Sequence, residues 1–487
     1  MKRTISFYGV YLNLLGACFA LPLLTALIYR ESTSIRAFSF VMILCFALGF
    51  VIRKFLGSDI NSLSLKLRDS YLLVASVWLV SSVIGSMPYI LTDSIPGFID
   101  AFFETASGFT TTGATIIDDV ESLPRAVLMW RSLTQWLGGM GIIVLFVALL
   151  PRFGIKARSI AAAETPGPTV TKLSSSFTGT AQRLYIAYII LTLAEIVLLM
   201  LGGMNLYDAA NHSLTTMATG GFSTYADSIA HFDSYYITWV ITIFMVLAGT
   251  NFELFFVLIG GGIRKMFRNE EFRLYLSIVA ISTALITISL ITQGGYTDAF
   301  SALTDAAFQV TTIMSTTGFA TTDFNLWPTL CLMIIILLMI SGGSSSSTAG
   351  GVKVIRVLAI WKLIVREMKI KLHGRVVKDV SIDRHKLLPE TLTYIVGFVS
   401  MYIITLLAAT LLISLSGQGD LISNFTGALS CISNVGPGLE KVGPVCTYSF
   451  YNGFNTFVLA IVMIAGRLEL VTLFVVFSKY FIHPDRV

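Results

Sequence analysis

Four times along the chain, an Asp or Ser is followed thirteen residues later by a glycine that closes a short apolar stretch. Asp100 leads to Gly113, Asp208 to Gly221, Asp305 to Gly318 and Ser423 to Gly436. The turns around those glycines read TTTGA, TGGFS, STTGF and NVGPG, and each copy lies between two long hydrophobic segments. A recurrence at about a hundred residues marks a fourfold repeat. Thirteen residues make about 20 Å of helix, short of the roughly 30 Å bilayer core. The spacing therefore predicts four short helices that enter the membrane and turn back on the same side. Asp100, Asp208, Asp305 and Ser423 are expected as their N-caps, because a short polar side chain satisfies the free amides at a helix start.

Composition fits this reading. Of 487 residues, 55% are hydrophobic and only 13% charged, too few polar groups to cover a soluble domain of this size. Ten apolar segments are long enough to span, centred near residues 18, 44, 80, 138, 192, 248, 282, 345, 403 and 465. The first follows only a short basic start and lacks a small-residue cleavage site, so it is expected to be retained. With a cytoplasmic N-terminus, 27 of the 33 Lys and Arg fall inside and 15 of the 28 acids outside. The positive-inside rule then puts both termini in the cytoplasm and all four glycine turns outside. Topology accounts for the basic loops, so no nucleic-acid partner is expected. Five cysteines without CxxC or Cys/His spacing support neither zinc nor a disulfide framework, although Cys431 and Cys446 share the outer side.

The expected fold is an all-α polytopic membrane protein with four parallel span–short helix–span repeats around a pseudo-fourfold pore, preceded by two further spans. The divisions are 1–56 for the two extra helices, then 57–160, 161–265, 266–375 and 376–487 for the repeats. Two spans per unit preserve orientation, unlike the inverted repeats of many secondary transporters.

A dehydrated cation needs carbonyl oxygens in place of water, and consecutive carbonyls can point one way only where some residues adopt left-handed backbone, which glycine permits. The candidate filter is Thr111, Thr112 and Gly113, Thr219, Gly220 and Gly221, Thr316, Thr317 and Gly318, and Asn434, Val435 and Gly436. Gly220 in place of a second Thr, and the Asn-Val pair of the fourth copy, make this filter irregular.

With TTTGAT at 110–115, GGFST at 220–224, STTGF at 315–319, NVGPG at 434–438, GGMGIIVL at 138–145, GGVKVIR at 350–356 and GRLE at 466–469, the chain resembles the Trk/Ktr/HKT superfamily of potassium transporters. The two spans before the first repeat make it most similar to the TrkH-type membrane subunits of bacterial Trk systems. The resemblance covers essentially the whole chain. It implies potassium as the permeating ion, no covalent cofactor, a bacterial inner-membrane location, a homodimer, and a cytosolic TrkA-like regulatory ring that binds NAD or ATP. Within the superfamily, serine in place of the first-repeat glycine accompanies sodium permeation, so Gly113 implies potassium.

The segment near 345 is interrupted by SGGSSSSTAGG from 341 to 351. Eleven apolar residues before it are too few to span, so the break lies at membrane depth. Gly342, Gly343, Ser344, Ser345, Ser346, Ser347, Thr348, Gly350 and Gly351 are expected to form a small-residue loop beneath the filter. A phosphate-binding loop fits poorly, since Lys353 is followed by Val354 rather than by Ser or Thr. The family has an intramembrane gate at this position. Arg467, inside the last span and two residues from Glu469, is either half of a structural ion pair or a contact to this loop. His212 is expected to pack rather than to ligate. Two other functions fit the sequence less well. A membrane enzyme needs a nucleophile–base pair or metal-ligand spacing, and the sequence has no HExxH, no GxSxG and few histidines; a secondary transporter of another solute calls for inverted repeats and acids within the spans.

Overall fold

The computed structural model describes residues 2–56, 67–141, 177–373 and 379–477. It is helical almost throughout; the one sheet among the described residues is a two-stranded hairpin pairing Ser381 with Lys386 and Ile382 with His385. Its turn residues Asp383 and Arg384 have φ of 49° and 66°, the left-handed pair that a two-residue hairpin turn requires.

Six helices are individually long and apolar enough to cross a membrane: Phe7–Ile28, Ser32–Phe55, Tyr71–Leu91, Ala181–Leu201, Glu270–Thr292 and Pro389–Ser414. The segments near 248 and 465, expected as unbroken spans, are instead bent pairs. Tyr235–Ala248 meets Glu253–Ile259 at 100°, and Gly453–Arg467 meets Leu470–Val476 at 110°. The segment near 345 is broken as expected, into Thr329–Ser341 and Val354–His373. In repeat 1 the second helix, Arg125–Gly139, ends at a Gly-Met-Gly run with Gly141 at φ 81°. Opened backbone at this depth is tolerated only where protein shields it: Gly138, Gly249, Gly350 and Gly466 lie against Phe109, Ser315, Ser433 and Ile432 at the ends of the short helices.

The short helices are Phe98–Phe109, Leu206–Met217, Ala299–Met314 and Leu421–Ser433. Each packs on both spans of its own repeat and on the second span of the preceding repeat. The first touches Gly453–Arg467 of the fourth, which closes the ring. Their apolar faces are therefore buried on three sides.

The expected caps are misplaced. Asp298 and Asp420 cap the third and fourth short helices, Asn205 caps the second, and the first starts at Gly97 without a side-chain cap. Asp100, Asp208 and Ser423 are third residues inside their helices, and Asp305 lies further in. Hydrogen bonds from the Ser301 side chain foremost hold the Asp298 carboxyl below its usual range, and those from the Ser423 amide foremost do so for Asp420. The Asp thirteen residues before the glycine has another task. Asp208 accepts from Thr224 Oγ1 and the Tyr225 hydroxyl at 2.9 Å each, and Asp305 from Thr321 Oγ1 at 3.1 Å. Both carboxylates tie the segment leaving the turn back to the helix entering it. The expected division at 265/266 falls within helix Ile263–Arg268, and Asn269 caps the next helix, Glu270–Thr292. Divisions at 56/57, 160/161 and 375/376 adjoin or lie outside the described residues.

The two N-terminal spans pack on repeat 1. Glu31, in the connection between them, accepts from the amides of Arg125 at 2.7 Å and Ala126 at 3.2 Å. It thus caps a helix whose own N-cap is Pro124, a residue without a side-chain acceptor. Glu31→Ala is expected to destabilise the protein by about 1 kcal/mol, read as a lower midpoint in detergent thermal unfolding; an unchanged midpoint would show the cap to be idle.

Candidate functional site

The four turns share one backbone. Thr111 and Gly113 have φ of 55° and 81°, Thr219 and Gly221 54° and 77°, Thr316 and Gly318 59° and 86°, and Asn434 and Gly436 55° and 106°. Left-handed residues thus alternate with ordinary ones. The amides of Thr112, Gly220, Thr317 and Val435 each reach back five residues to a helix carbonyl, at 2.9, 2.9, 2.8 and 3.0 Å, the bond of a Schellman helix end. Glycine normally fills the left-handed place in that motif. Here three threonines and an asparagine do, at roughly 1–2 kcal/mol of strain each. Strain of this kind persists where the surroundings over-determine it, commonly at functional sites.

The turns close a ring in chain order. A Cβ on Gly113 would strike the Gly220 carbonyl, one on Gly221 the Thr317 carbonyl, and one on Gly318 the Val435 carbonyl; one on Gly436 would come within 2.8 Å of the Thr112 carbonyl. Each glycine therefore abuts the oxygen just before the next glycine, and the fourth returns to the first. All twelve expected filter residues lie in this ring. Outside it is a vestibule of about 110 Å³ lined by the four glycines, Asp118 and Arg131 among others.

Polar side chains buttress the ring unevenly. Nine residues before the glycines stand Glu104, His212, Gln309 and Gly427. Glu104 accepts from Thr115 Oγ1 at 3.0 Å, the Ile116 amide at 3.1 Å and Arg131 Nε at 2.9 Å, and Arg131 reaches on to the Ser223 carbonyl at 3.2 Å. His212 lies 3.0 Å from Ser223 Oγ and 2.8 Å from the Asp208 carbonyl, so it holds the strand after the turn rather than merely packing. Sequence reasoning missed the Glu104–Arg131 pair and Gln135. Glu104 was findable by aligning the four turns, since it stands where His212 does in repeat 2.

The 342–351 loop lies directly under the ring. The Gly350 amide donates to Thr316 Oγ1 at 2.7 Å, and Gly350 has no room for a Cβ beside the Ser433 carbonyl. Gly342 and Gly351 take φ of 63° and 74° against one another. Gly343 packs on Ala349 and the Gly249 carbonyl. Ser344 N donates to Gly249 O at 2.9 Å, Thr348 Oγ1 to Ala248 O at 3.2 Å, and Phe252 N to Ser346 O at 3.1 Å, which fastens the loop to the bend of repeat 2. Ser347 Oγ closes the loop on Ser344 O at 2.6 Å. Buried Glu271 accepts from Ser345 N at 2.5 Å and Ser345 Oγ at 2.7 Å.

Arg467 sits at the bend of repeat 4. Its Nη1 donates to the Thr348 carbonyl at 2.7 Å, and Nη2 to the Gly138 and Gly139 carbonyls at 2.8 and 2.5 Å. One guanidinium thus joins the loop to the helix end of repeat 1. The carboxylate two residues on, Glu469, pairs with Arg356. Glu469 accepts from Arg356 Nη2 at 2.6 and 2.7 Å and from the Tyr394 hydroxyl at 3.2 Å, with Arg356 lying 3.8 Å over the Phe398 ring. Cys431 is buried, Cys446 exposed, and neither is in a disulfide.

A family model described as TrkH, cation transport protein, matches residues 37–485. The Trk system potassium uptake protein TrkH of Escherichia coli K12 is 36% identical over 480 residues, 97% of each chain. Trk system potassium uptake protein TrkG of the same organism is 32% identical over 94% of each. The crystal structure of the potassium transporter TrkH from Vibrio parahaemolyticus superposes with a TM-score of 0.87 at 32% identity, covering 99% of both chains. The chain belongs to the TrkH family of cation transport proteins.

Proposed function

We propose that the chain takes up potassium across the bacterial inner membrane, passing it through main-chain oxygens of the four turns. The observation that carries this reading is the closed ring, in which each of four glycines abuts a carbonyl of the next repeat. A ring of carbonyls replaces a cation's hydration shell, and the number and field strength of the oxygens set the preferred ion. The twelve residues at 111–113, 219–221, 316–318 and 434–436 form the filter, and potassium is the ion in transit. The relatives' names, potassium uptake proteins of Trk systems, point the same way.

The 342–351 loop is the gate, since it closes the inner mouth of the ring, and Arg467 holds it shut. Both termini are cytoplasmic by the charge asymmetry of the loops. By resemblance, two copies pair and a cytosolic TrkA-like nucleotide-binding ring acts on the gate from below, where Val354–His373 continues the loop.

The test is uptake of rubidium and sodium by vesicles carrying the chain or Gly113→Ser. The added Cβ overlaps the Gly220 carbonyl, so that one ring oxygen must shift, and uptake is expected to persist with its preference moved toward sodium. An unchanged sodium-to-rubidium ratio in the substituted protein removes the filter assignment.

A further inference from the structure

The turn of repeat 2 carries Gly220 where its counterparts carry Thr112, Thr317 and Val435. The second helix of repeat 1 supplies the reason. Gln135, fully buried on that helix, occupies the space a side chain would need: a Cβ on Gly220 would lie 2.5 Å from Gln135 Oε1 and 2.8 Å from its Cγ. Gln135 bridges the turn with both ends of its amide. The Phe222 amide donates to Oε1 at 3.0 Å, and Nε2 donates to the Gly220 carbonyl at 2.6 Å. Since Phe222 N–H can only donate and the Gly220 oxygen can only accept, the partners fix which way the amide faces. That oxygen is the one abutting Gly113 in the ring.

Repeat 4 has a comparable device. The Gly436 carbonyl accepts from Ser430 Oγ at 2.7 Å and from the Tyr448 hydroxyl at 2.9 Å. Its φ of 106° stands apart from the 77° to 86° of the other three glycines. Among the described residues, no side chain donates to the carbonyls of Gly113, Gly221 or Gly318. Two turn carbonyls on opposite repeats are therefore already engaged by buried protein donors, one of them a ring oxygen (Gly220) and the other one residue further on (Gly436).

A donor on a carbonyl draws charge from the lone pair facing the ion and restrains the oxygen from moving inward. Selection between alkali cations depends on the number, field strength and mobility of such oxygens. We propose that Gln135 and Tyr448 are specificity-determining positioning residues, which hold the Gly220 and Gly436 carbonyls back at a spacing that suits a larger cation over a smaller one. The inference rests on the filter reading above. It accounts for Gly220 as the partner of Gln135 instead of a decayed threonine.

The experiment measures sodium and rubidium uptake by proteoliposomes carrying the full chain, Gln135→Leu, Tyr448→Phe or Gly113→Ser. The two donors lie on different repeats, so a folding failure in one variant leaves the other to decide. The sodium-to-rubidium ratio is expected to rise about three- to tenfold in each donor variant, the factor one net hydrogen bond represents, with rubidium still transported. A structural role alone lowers both ions together. If Gly113→Ser shifts the ratio while Gln135→Leu and Tyr448→Phe do not, the inference is wrong and the filter stands. If none of the three shifts it, the filter reading falls and the inference with it.

Discussion

Gly318→Ala is expected to abolish rubidium uptake, a far larger effect than Gly113→Ser. Both positions are left-handed, at φ 86° and 81°, so any side chain adds roughly 1–2 kcal/mol of backbone strain. What separates them is the neighbour. A Cβ on Gly113 overlaps one atom, the Gly220 oxygen, and meets nothing else closer than 3.3 Å. A Cβ on Gly318 meets the carbonyl of Val435 and lies 2.9 Å from Pro437 Cδ. A proline ring fixes its own φ, and its presence narrows the choices of the residue before it. The third-to-fourth junction therefore cannot make room without turning a ring carbonyl away. Uptake at or above a tenth of the parent rate, in protein of normal yield, would show that this junction deforms as easily as the first.

Much of this was legible in the sequence because a fourfold period is its own alignment. The four glycines, their thirteen-residue spacing to Asp or Ser, and the interrupted span near 345 all correspond to structural features. The spacing was informative even where its first explanation failed. Asp208 and Asp305 recur to bind Thr224 and Thr321 beyond the turn, whereas the caps are Asn205 and Asp298. Propensity names a capping residue type but not which of two nearby acids uses it. The bends at 248–253 and 467–470 were hidden for a different reason. The polar residues there, Asn251 and Glu253 in one and Arg467 and Glu469 in the other, are too few to interrupt the apolar stretch as a whole, and the opened backbone groups are satisfied by distant partners, such as the loop's Ser344, Ser346 and Thr348. Nor could spacing reveal that Glu469 pairs with Arg356, 113 positions away.

Arg467→Ala is expected to raise rubidium uptake by vesicles carrying the chain alone by about tenfold or more. The guanidinium makes charge-assisted bonds to three carbonyls, Thr348 on the loop and Gly138 and Gly139 on repeat 1, and bonds to charged groups contribute about 1.5–3 kcal/mol each. Those three acceptors are main-chain oxygens of two segments that otherwise belong to different repeats, so the side chain acts as a clamp across the inner mouth. Losing it favours any state in which loop and helix end separate, and tenfold corresponds to only about 1.4 kcal/mol of that difference. The remaining anchors explain why the loop is not simply lost. Glu271 still holds Ser345, and the repeat 2 bend still holds Ser344 and Thr348. Glu271→Gln therefore serves as the companion measurement, since it weakens an anchor that does not bridge to repeat 1. A moderate rise with Glu271→Gln and a larger one with Arg467→Ala follow if both hold the loop closed. Uptake that falls or stays level with Arg467→Ala, in protein that elutes as the parent does, means the loop does not obstruct the path and the clamp is structural.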